Sequence, residues 1–279
     1  MIIYPAALVL SAAATATPLT HARIGWQTFT RDLAAADVTV STEDADFPRD
    51  APLRPDTAEA WAPTALPATW TVDLGGLQDI DYVGVVGGIG SAGCALEVHT
   101  STGDLLGSPP EQVWDLFAAG IAPADDAPLL FLDDAVSARY VRLTLTGGAL
   151  MPKVAVVYAG AVLAMQRAIY GGHSPIPLSR NTVLSNALSK GGQFLGQGFR
   201  RHGVSGGMAY RYLTAAWYRS DFDPFVKAAR QYPAFFGWRP ETFPLECVYG
   251  WVTENIVPQN QGVRDFMSVS FGVQGIGHE

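Results

Sequence analysis

Cysteine is almost missing from this chain: Cys94 and Cys247 are the only two in 279 residues. They fall in what read as separate regions, so neither a disulfide framework nor a Cys-based zinc site can be built from them. Charge is sparse too, at 16% of residues, and the bases are mostly single arginines among aromatics, with Arg200-Arg201 the only adjacent pair. Nucleic-acid recognition wants clustered Lys and Arg, so no such specificity is expected. His21, His99, His173, His202 and His278 form no i, i+4 pair and no His-x-His, which leaves a metal site to tertiary contacts alone. The apolar N-terminal run from Ile2 to Ala16 is roughly 15 residues, short of the about 20 that span a bilayer. It imitates a secretory signal, yet no Lys or Arg precedes Arg23. The expectation is a retained apolar arm, residues 1–24, that pairs with something, set against a signal-like segment. No repeat of about 20 to 50 residues is present, which excludes a solenoid or propeller.

What is present suits a β protein. Hydrophobic residues make up 48%, and 29 Gly and 19 Pro supply turns between many short strands. Residues 1–150 carry 19 acids and 6 bases, whereas residues 151–279 carry 7 acids and 12 bases. Two domains facing different neighbours follow from that asymmetry. Residues 17–69 read as long surface loops around Val38-Thr-Val40. Alternating segments follow at Thr69–Leu74, Tyr82–Val86, Ala95–Thr100, Leu129–Leu132 and Arg139–Thr146, the pattern of an antiparallel sandwich. Glu111–Ala118 is the one stretch there with a helical look. Trp70 reads as core. Gly147-Gly148 and Met151-Pro152 close the first domain, and Val154–Tyr158 leads out of it as a strand. Beyond, Asp223-Pro224 predicts a helix start, with Phe225, Val226 and Ala229 on one face, ended by Tyr232-Pro233. Ala234–Trp238 and Asp265–Val273 read as strands.

Two short motifs imitate enzymes. Gly88-Ile-Gly90-Ser-Ala-Gly93 spells a dinucleotide fingerprint, but Cys94–Thr100 after it alternates as a strand where a helix N-terminus would have to hold the pyrophosphate. Gly203-Val-Ser205-Gly-Gly207 spells a nucleophile elbow, yet the sole later histidine is the penultimate His278, and Met208–Leu213 looks extended. An inter-strand glycine loop and a flexible turn between strands are the expected forms. No catalytic residue is assigned and no enzyme activity is expected.

Trp70-Thr-Val-Asp-Leu-Gly75 and Ala138-Arg-Tyr-Val-Arg-Leu-Thr-Leu145 together resemble the signature of the galactose-binding-like (discoidin-type) β-sandwich. That resemblance implies a module that binds surfaces and glycans. The tract from His173-Ser-Pro-Ile176 onward resembles distal-tail and minor tail-tip proteins of tailed bacteriophages. It does so through Gly192-Gln-Phe-Leu-Gly196, Phe222-Asp-Pro-Phe225, Tyr232–Pro240, Tyr249-Gly-Trp251 and Gly262–Phe271. The tail resemblance implies a virion location and assembly of the chain with itself as a ring of six copies. It also implies contact with other tail proteins (tail tube, hub), and appended modules facing a host surface glycan. The sandwich stands here before the ring domain, where such modules often follow it.

The expected architecture is therefore mainly β. An antiparallel, jelly-roll, galactose-binding-like sandwich spans residues 25–157, and a β-barrel-like, ring-forming tail domain with one short helix spans 158–279. The candidate ligand-binding set is Trp61, flanked by Pro63 and Pro67 as an exposed platform for a sugar ring, with Arg54 and Asp56 as polar partners. The acidic loop with Asp44, Asp46 and Asp50 is a candidate site for a structural calcium, set against a plainly solvated acidic loop. The candidate assembly interface is Phe222, Phe225, Tyr232, Phe235, Trp238, Arg239, Trp251 and Arg264, since interfaces favour aromatics and Arg over Lys, and residues 151–279 hold nine Arg against three Lys. The same aromatics would also serve a self-contained core. Two other functional classes fit the same residues: a secreted glycan-binding or glycan-active protein with a targeting module, and a capsid decoration protein.

Overall fold

The computed structural model describes residues 2–3, 20–105, 109–116, 127–171, 173, 175, 178–181, 183–201, 203–240, 242–243, 246–262 and 264–276. Its strands are β1 (Ile2–Ile3), β2 (Arg23–Gly25), β3 (Val38–Val40), β4 (Ala68–Gly87), β5 (Cys94–Ser101), β6 (Gln112–Asp115), β7 (Leu129–Gly147) and β8 (Val154–Gly160). These continue as β9 (Val162–Ala164), β10 (Val183–Leu188), β11 (Phe194–Arg201), β12 (Val204–Thr214), β13 (Ala234–Gly237), β14 (Cys247–Val252), β15 (Gln259–Asn260) and β16 (Phe266–Gly275). Among the described residues a helical segment, α1 (215–228), and two single 3-10 turns, Ala35–Asp37 and Ala51–Leu53, complete the set. The fold is mainly β, with antiparallel pairing throughout except for β1 on β7.

The first sheet runs β3-β4-β7-β5-β6, with β8 added to β4 and β1 to β7. Its two long strands, β4 and β7, bend midway, so the sheet folds back on itself as a sandwich. Register shifts fall between Asp73 and Gln78 and between Ile80 and Tyr82, and Gly75 takes φ 76° in the bend. These bulges change which parity faces inward. Trp70, Val72 and Leu74 point into the core before the bend, and Val83 and Val85 after it; β7 does the same with Leu130 and Leu132, then Val141, Leu143 and Leu145. Residues from both arms of the bend thus share one core, and Trp70 lies in it as the alternation predicts. The Gly88–Gly93 stretch is a turn between β4 and β5. The Glu111–Ala118 helix is replaced over Gln112–Asp115 by edge strand β6, paired with Glu97–Thr100. Cross-strand pairing has overridden a weak local preference, and residues 117–118 lie outside the described set.

The outward face of the folded-back arm carries a second apolar row, Tyr82, Val86, Leu129, Phe131, Val156 and Tyr158, which packs against Phe235, Cys247 and Tyr249 of another sheet. That sheet runs β12-β16-β14-β13-β2-β9, with β15 beside β16, and its path is open: among the described residues β9 and β12 do not pair. The early strand β2 sits between β13 and β9, stitching the start of the chain into this sheet. The two sheets meet closely because glycine occupies the contact points. A Cβ on Gly84 would stand 2.6 Å from the Phe235 ring, and one on Gly25 2.5 Å from that of Tyr82. The far face of this sheet is covered by α1, whose Phe222 and Phe225 pack on Phe236 and Phe271.

The helix begins earlier than Asp223-Pro224 suggests. Thr214 caps it by accepting the Trp217 amide at 3.4 Å, and a π turn over Tyr218–Phe222 joins it to Asp223–Ala228, with Asp223 already helical. The Gly203–Gly207 stretch is no free turn, since Val204 to Gly207 pair with Gly275 to Gly272 of β16. Of the N-terminal arm, Ile2 and Ile3 pair with Leu129 and Leu130, and residues 4–19 lie outside the described set.

Candidate functional site

The expected ligand platform does not form around Trp61. Its ring is fully buried in the sandwich core, its Nε1 donates to the Thr42 carbonyl at 3.2 Å, and its backbone bridges Val154. A fully enclosed indole leaves no face for a sugar. Arg54 is engaged by Asp50 and Glu59, while Asp56 accepts the Ala58 amide at 3.2 Å, so neither converges with Trp61 on one cleft. Asp44 accepts the Asp46 amide at 3.0 Å and Asp50 faces Arg54. Among the described residues no group of three or more acidic, His or Cys side chains stands together to hold a metal.

Most of the expected assembly residues are occupied inside the chain. Phe222, Phe225 and Phe235 are fully buried and Trp238 nearly so, because the second sheet is sandwiched between the first and α1 and needs apolar side chains on both faces. Tyr232 is half-buried with the Arg31 guanidinium 3.8 Å above its ring, and Arg239 lies over Trp238 and Phe243. Only Trp251, 41% exposed, and Arg264 face solvent openly.

A candidate site, one of several surface cavities and smaller than those beside Arg230, Arg211 and Trp26, is on the outermost face of the sandwich. Once Trp70, Val72, Val141 and Leu143 are committed inward, strand alternation turns Thr71, Asp73, Tyr140 and Arg142 outward. Register then aligns them, with Thr71 opposite Arg142, Asp73 opposite Tyr140, and His99 and Ser101 alongside on β5. Asp37 and Ala36 on a short turn form one wall and Asp104 the other, and Thr39 joins the floor. The result is a cavity of about 210 Å³ lined by Ala36, Asp37, Thr39, Thr71, Asp73, Asp104 and Tyr140.

Its polar groups are held in place. Arg139 grips Asp73 with two bonds, Nε to Oδ1 at 2.8 Å and Nη2 to Oδ2 at 2.7 Å, and the Gly75 amide donates to Oδ1 at 2.9 Å. The guanidinium, and after it the Gly75 amide, hold this carboxyl below the usual carboxylate range. Arg139 also lies over the Tyr140 ring, 5.1 Å from its centroid. Arg142 donates from Nε to Thr71 Oγ1 at 2.9 Å and from Nη2 to the Leu105 carbonyl at 2.6 Å, tying the loop that carries Asp104 to the floor. Asp37 accepts the Ala34 amide at 2.8 Å. Ionised carboxylates of this kind accept from hydroxyl donors, and the Thr39 and Tyr140 hydroxyls both give and accept. The cavity is rich in hydrogen-bond acceptors and has an aromatic ring at its edge. Sequence reasoning followed the apolar parity of β4 and β7 and passed over the polar parity, which was equally legible.

No protein-family model matches the chain, and no curated protein does. Among solved structures it is similar to chitosan-binding module 1 of a chitosanase/glucanase from Paenibacillus sp. IK-5, at 15% identity and TM-score 0.40 over 48% of this chain and 99% of that one. A Streptococcus pneumoniae fucose binding module aligns at 12% identity and TM-score 0.40, covering 48% of this chain and 94% of the module. The family 32 carbohydrate-binding module of C. perfringens NanJ, solved with galactose, aligns at 12% identity and TM-score 0.36 over 49% and 98%.

Proposed function

We propose that this chain is a non-enzymatic structural protein of a bacteriophage tail tip that assembles with itself through its C-terminal half and displays a glycan-binding sandwich toward the host surface. The observation that carries the recognition half of this reading is the 210 Å³ cavity of Asp37, Thr39, Thr71, Asp73, Asp104 and Tyr140. It lies on the layer farthest from α1, so a ligand meets it while the other end of the molecule is engaged elsewhere. Carboxylates beside a tyrosine ring suit the vicinal hydroxyls and apolar face of a pyranose, whereas an anionic ligand would be repelled by the three acids. A cavity of this size takes little more than one ring, so single-site binding is weak and several copies on one assembly gain avidity.

The test is a glycan array displaying bacterial surface saccharides, followed by titration calorimetry with the best hit and negative-stain imaging of the same preparation. Discrete rings, with saccharide binding that Asp73→Ala and Tyr140→Ala each weaken by about tenfold or more, are expected. Binding that survives both substitutions refutes the site. A monodisperse monomer that hydrolyses a glycan overturns the structural role and favours a secreted glycan-active protein.

A further inference from the structure

The β10–β11 hairpin stands apart from the rest of the fold. Its two strands pair with each other, Leu188 with Phe194 and Asn186 with Gln197, and residues 185–198 belong to none of the apolar cores. Leu188, Phe194 and Leu195 gather at its tip with 63%, 65% and 66% of their surface exposed. The tip is nonetheless well formed: the Gly192 amide donates to the Ser189 carbonyl at 3.0 Å and the Ser189 amide to that of Gln193 at 2.8 Å, with Gly192 at φ 80°. A lone two-stranded hairpin is marginal in water, and three large apolar side chains left exposed at its end call for a cover.

Charge indicates what that cover is. Residues 165–219 hold seven bases and no acid, and the hairpin carries three of those bases, Lys190, Arg200 and Arg201. Residues 32–59 hold eight acids and two bases, and one of those bases, Arg54, is already engaged by Asp50 and Glu59. The two segments are close to equal and opposite, +7 against −6, and the hairpin strands pair only with each other. We infer that the hairpin is a docking arm that seats its apolar tip and basic flank against the acidic 32–59 segment of a second copy of this chain. The inference rests on the self-assembly reading above and names its contact. Because the two patches differ, the contact is heterologous, and repeating it closes a ring or extends a filament. A lipid surface is the less favoured cover, since a membrane-seeking tip wants several cations beside its apolar residues, and of the hairpin's three bases only Lys190 is at the tip, Arg200 and Arg201 standing at the far end of β11.

Sedimentation velocity of the full chain over a range of concentrations, at low and high salt, tests this. Three variants accompany the native chain: Leu188→Ser with Phe194→Ser and Leu195→Ser, Lys190→Glu alone, and Glu43→Gln with Asp44→Asn and Asp46→Asn. The substituted positions are exposed except Asp44, which is half-buried and accepts the Asp46 amide, so a thermal melt of each variant accompanies the assay and separates lost docking from lost folding. The arm triple variant is expected to weaken assembly about tenfold or more, both charge variants to weaken it less, and salt to weaken the native contact. Native rings that persist unchanged in the arm variant overturn the arm while leaving self-assembly standing. A native chain that stays monomeric at every concentration overturns both. Arm-dependent binding to phosphatidylserine vesicles by a monomeric chain replaces the second copy with a membrane.

Discussion

Phe235 discriminates most sharply between an aromatic cluster that belongs to one chain and one that joins several. Its ring is fully buried between the sheets, with centroids 4.8 Å from Tyr249 and 5.7 Å from Tyr158. Phe235→Ala removes a buried ring and leaves a cavity, which costs about 3–5 kcal/mol. In a chain of this length that lowers the melting temperature by roughly 10 °C. Because both walls of the cavity are in one polypeptide, the loss is independent of protein concentration, whereas an interface residue would destabilise in a concentration-dependent way. The partner substitution is Gly84→Ala, whose new methyl would stand 2.6 Å from the Phe235 ring. Alone it is expected to cost about 1–3 kcal/mol by overpacking. Combined with Phe235→Ala it meets the vacated space, so its cost falls close to zero and the double variant is more stable than the two losses added. Urea denaturation followed by tryptophan fluorescence, at two concentrations tenfold apart, reads all four corners of the cycle. Strict additivity, or a Phe235→Ala loss that depends on concentration, refutes the intramolecular junction.

Asp81 is a second handle on that junction. It accepts the Val162 amide at 2.6 Å, and burial raises its pKa from 3.8 to about 6, against smaller opposing pulls from that amide and then from Arg23. A carboxyl raised on folding stabilises the native state fully below its unfolded pKa and loses that contribution as pH climbs from about 4 through about 6, an effect of at most about 3 kcal/mol. Asp81→Asn keeps the acceptor and is expected to flatten the stability profile across this window; an unchanged slope in chemical denaturation counts against the burial argument. Trp61→Phe removes the bond to Thr42 and is expected to cost about 1–2 kcal/mol in denaturation while leaving saccharide titration unaltered. A loss of binding without a loss of stability would restore Trp61 as a ligand contact. Arg139→Gln releases Asp73 toward the ordinary carboxylate range, so on acidification its saccharide binding is expected to fade at a higher pH than in the native chain. Coincident pH profiles by calorimetry would show that Arg139 does not set the charge of Asp73.

The sandwich strands were legible because each half-buried strand prints its period of two. Trp70, Val72 and Leu74, and Val141, Leu143 and Leu145, all occupy the inward positions that alternation assigns them. Less legible was that Thr69–Leu74 and Tyr82–Val86 are one strand, β4, and that Leu129–Leu132 and Arg139–Thr146 are likewise one, β7. A bulge changes parity without interrupting the backbone, so the sequence reads as two strands with a gap. Trp61 was read as exposed from its flanking prolines, but proline reports only local backbone geometry and carries no information on whether another arm of the sheet closes over the ring.

By itself the sequence determined the class of the fold and the inward faces of the clearly alternating stretches of β4 and β7, since both follow from short-range periodicity. Tertiary structure decided which surface is free. The aromatics of residues 222–238 look alike whether they line a core or an interface, and only the packing of the second sheet between the first sheet and α1 buries Phe222, Phe225 and Phe235 within the chain. The pocket was settled in the same way. Thr39, Thr71, Asp104 and Tyr140 are separated by tens of residues, and only strand register brings them to one cavity, because pairing is a contact between distant segments that no local pattern encodes.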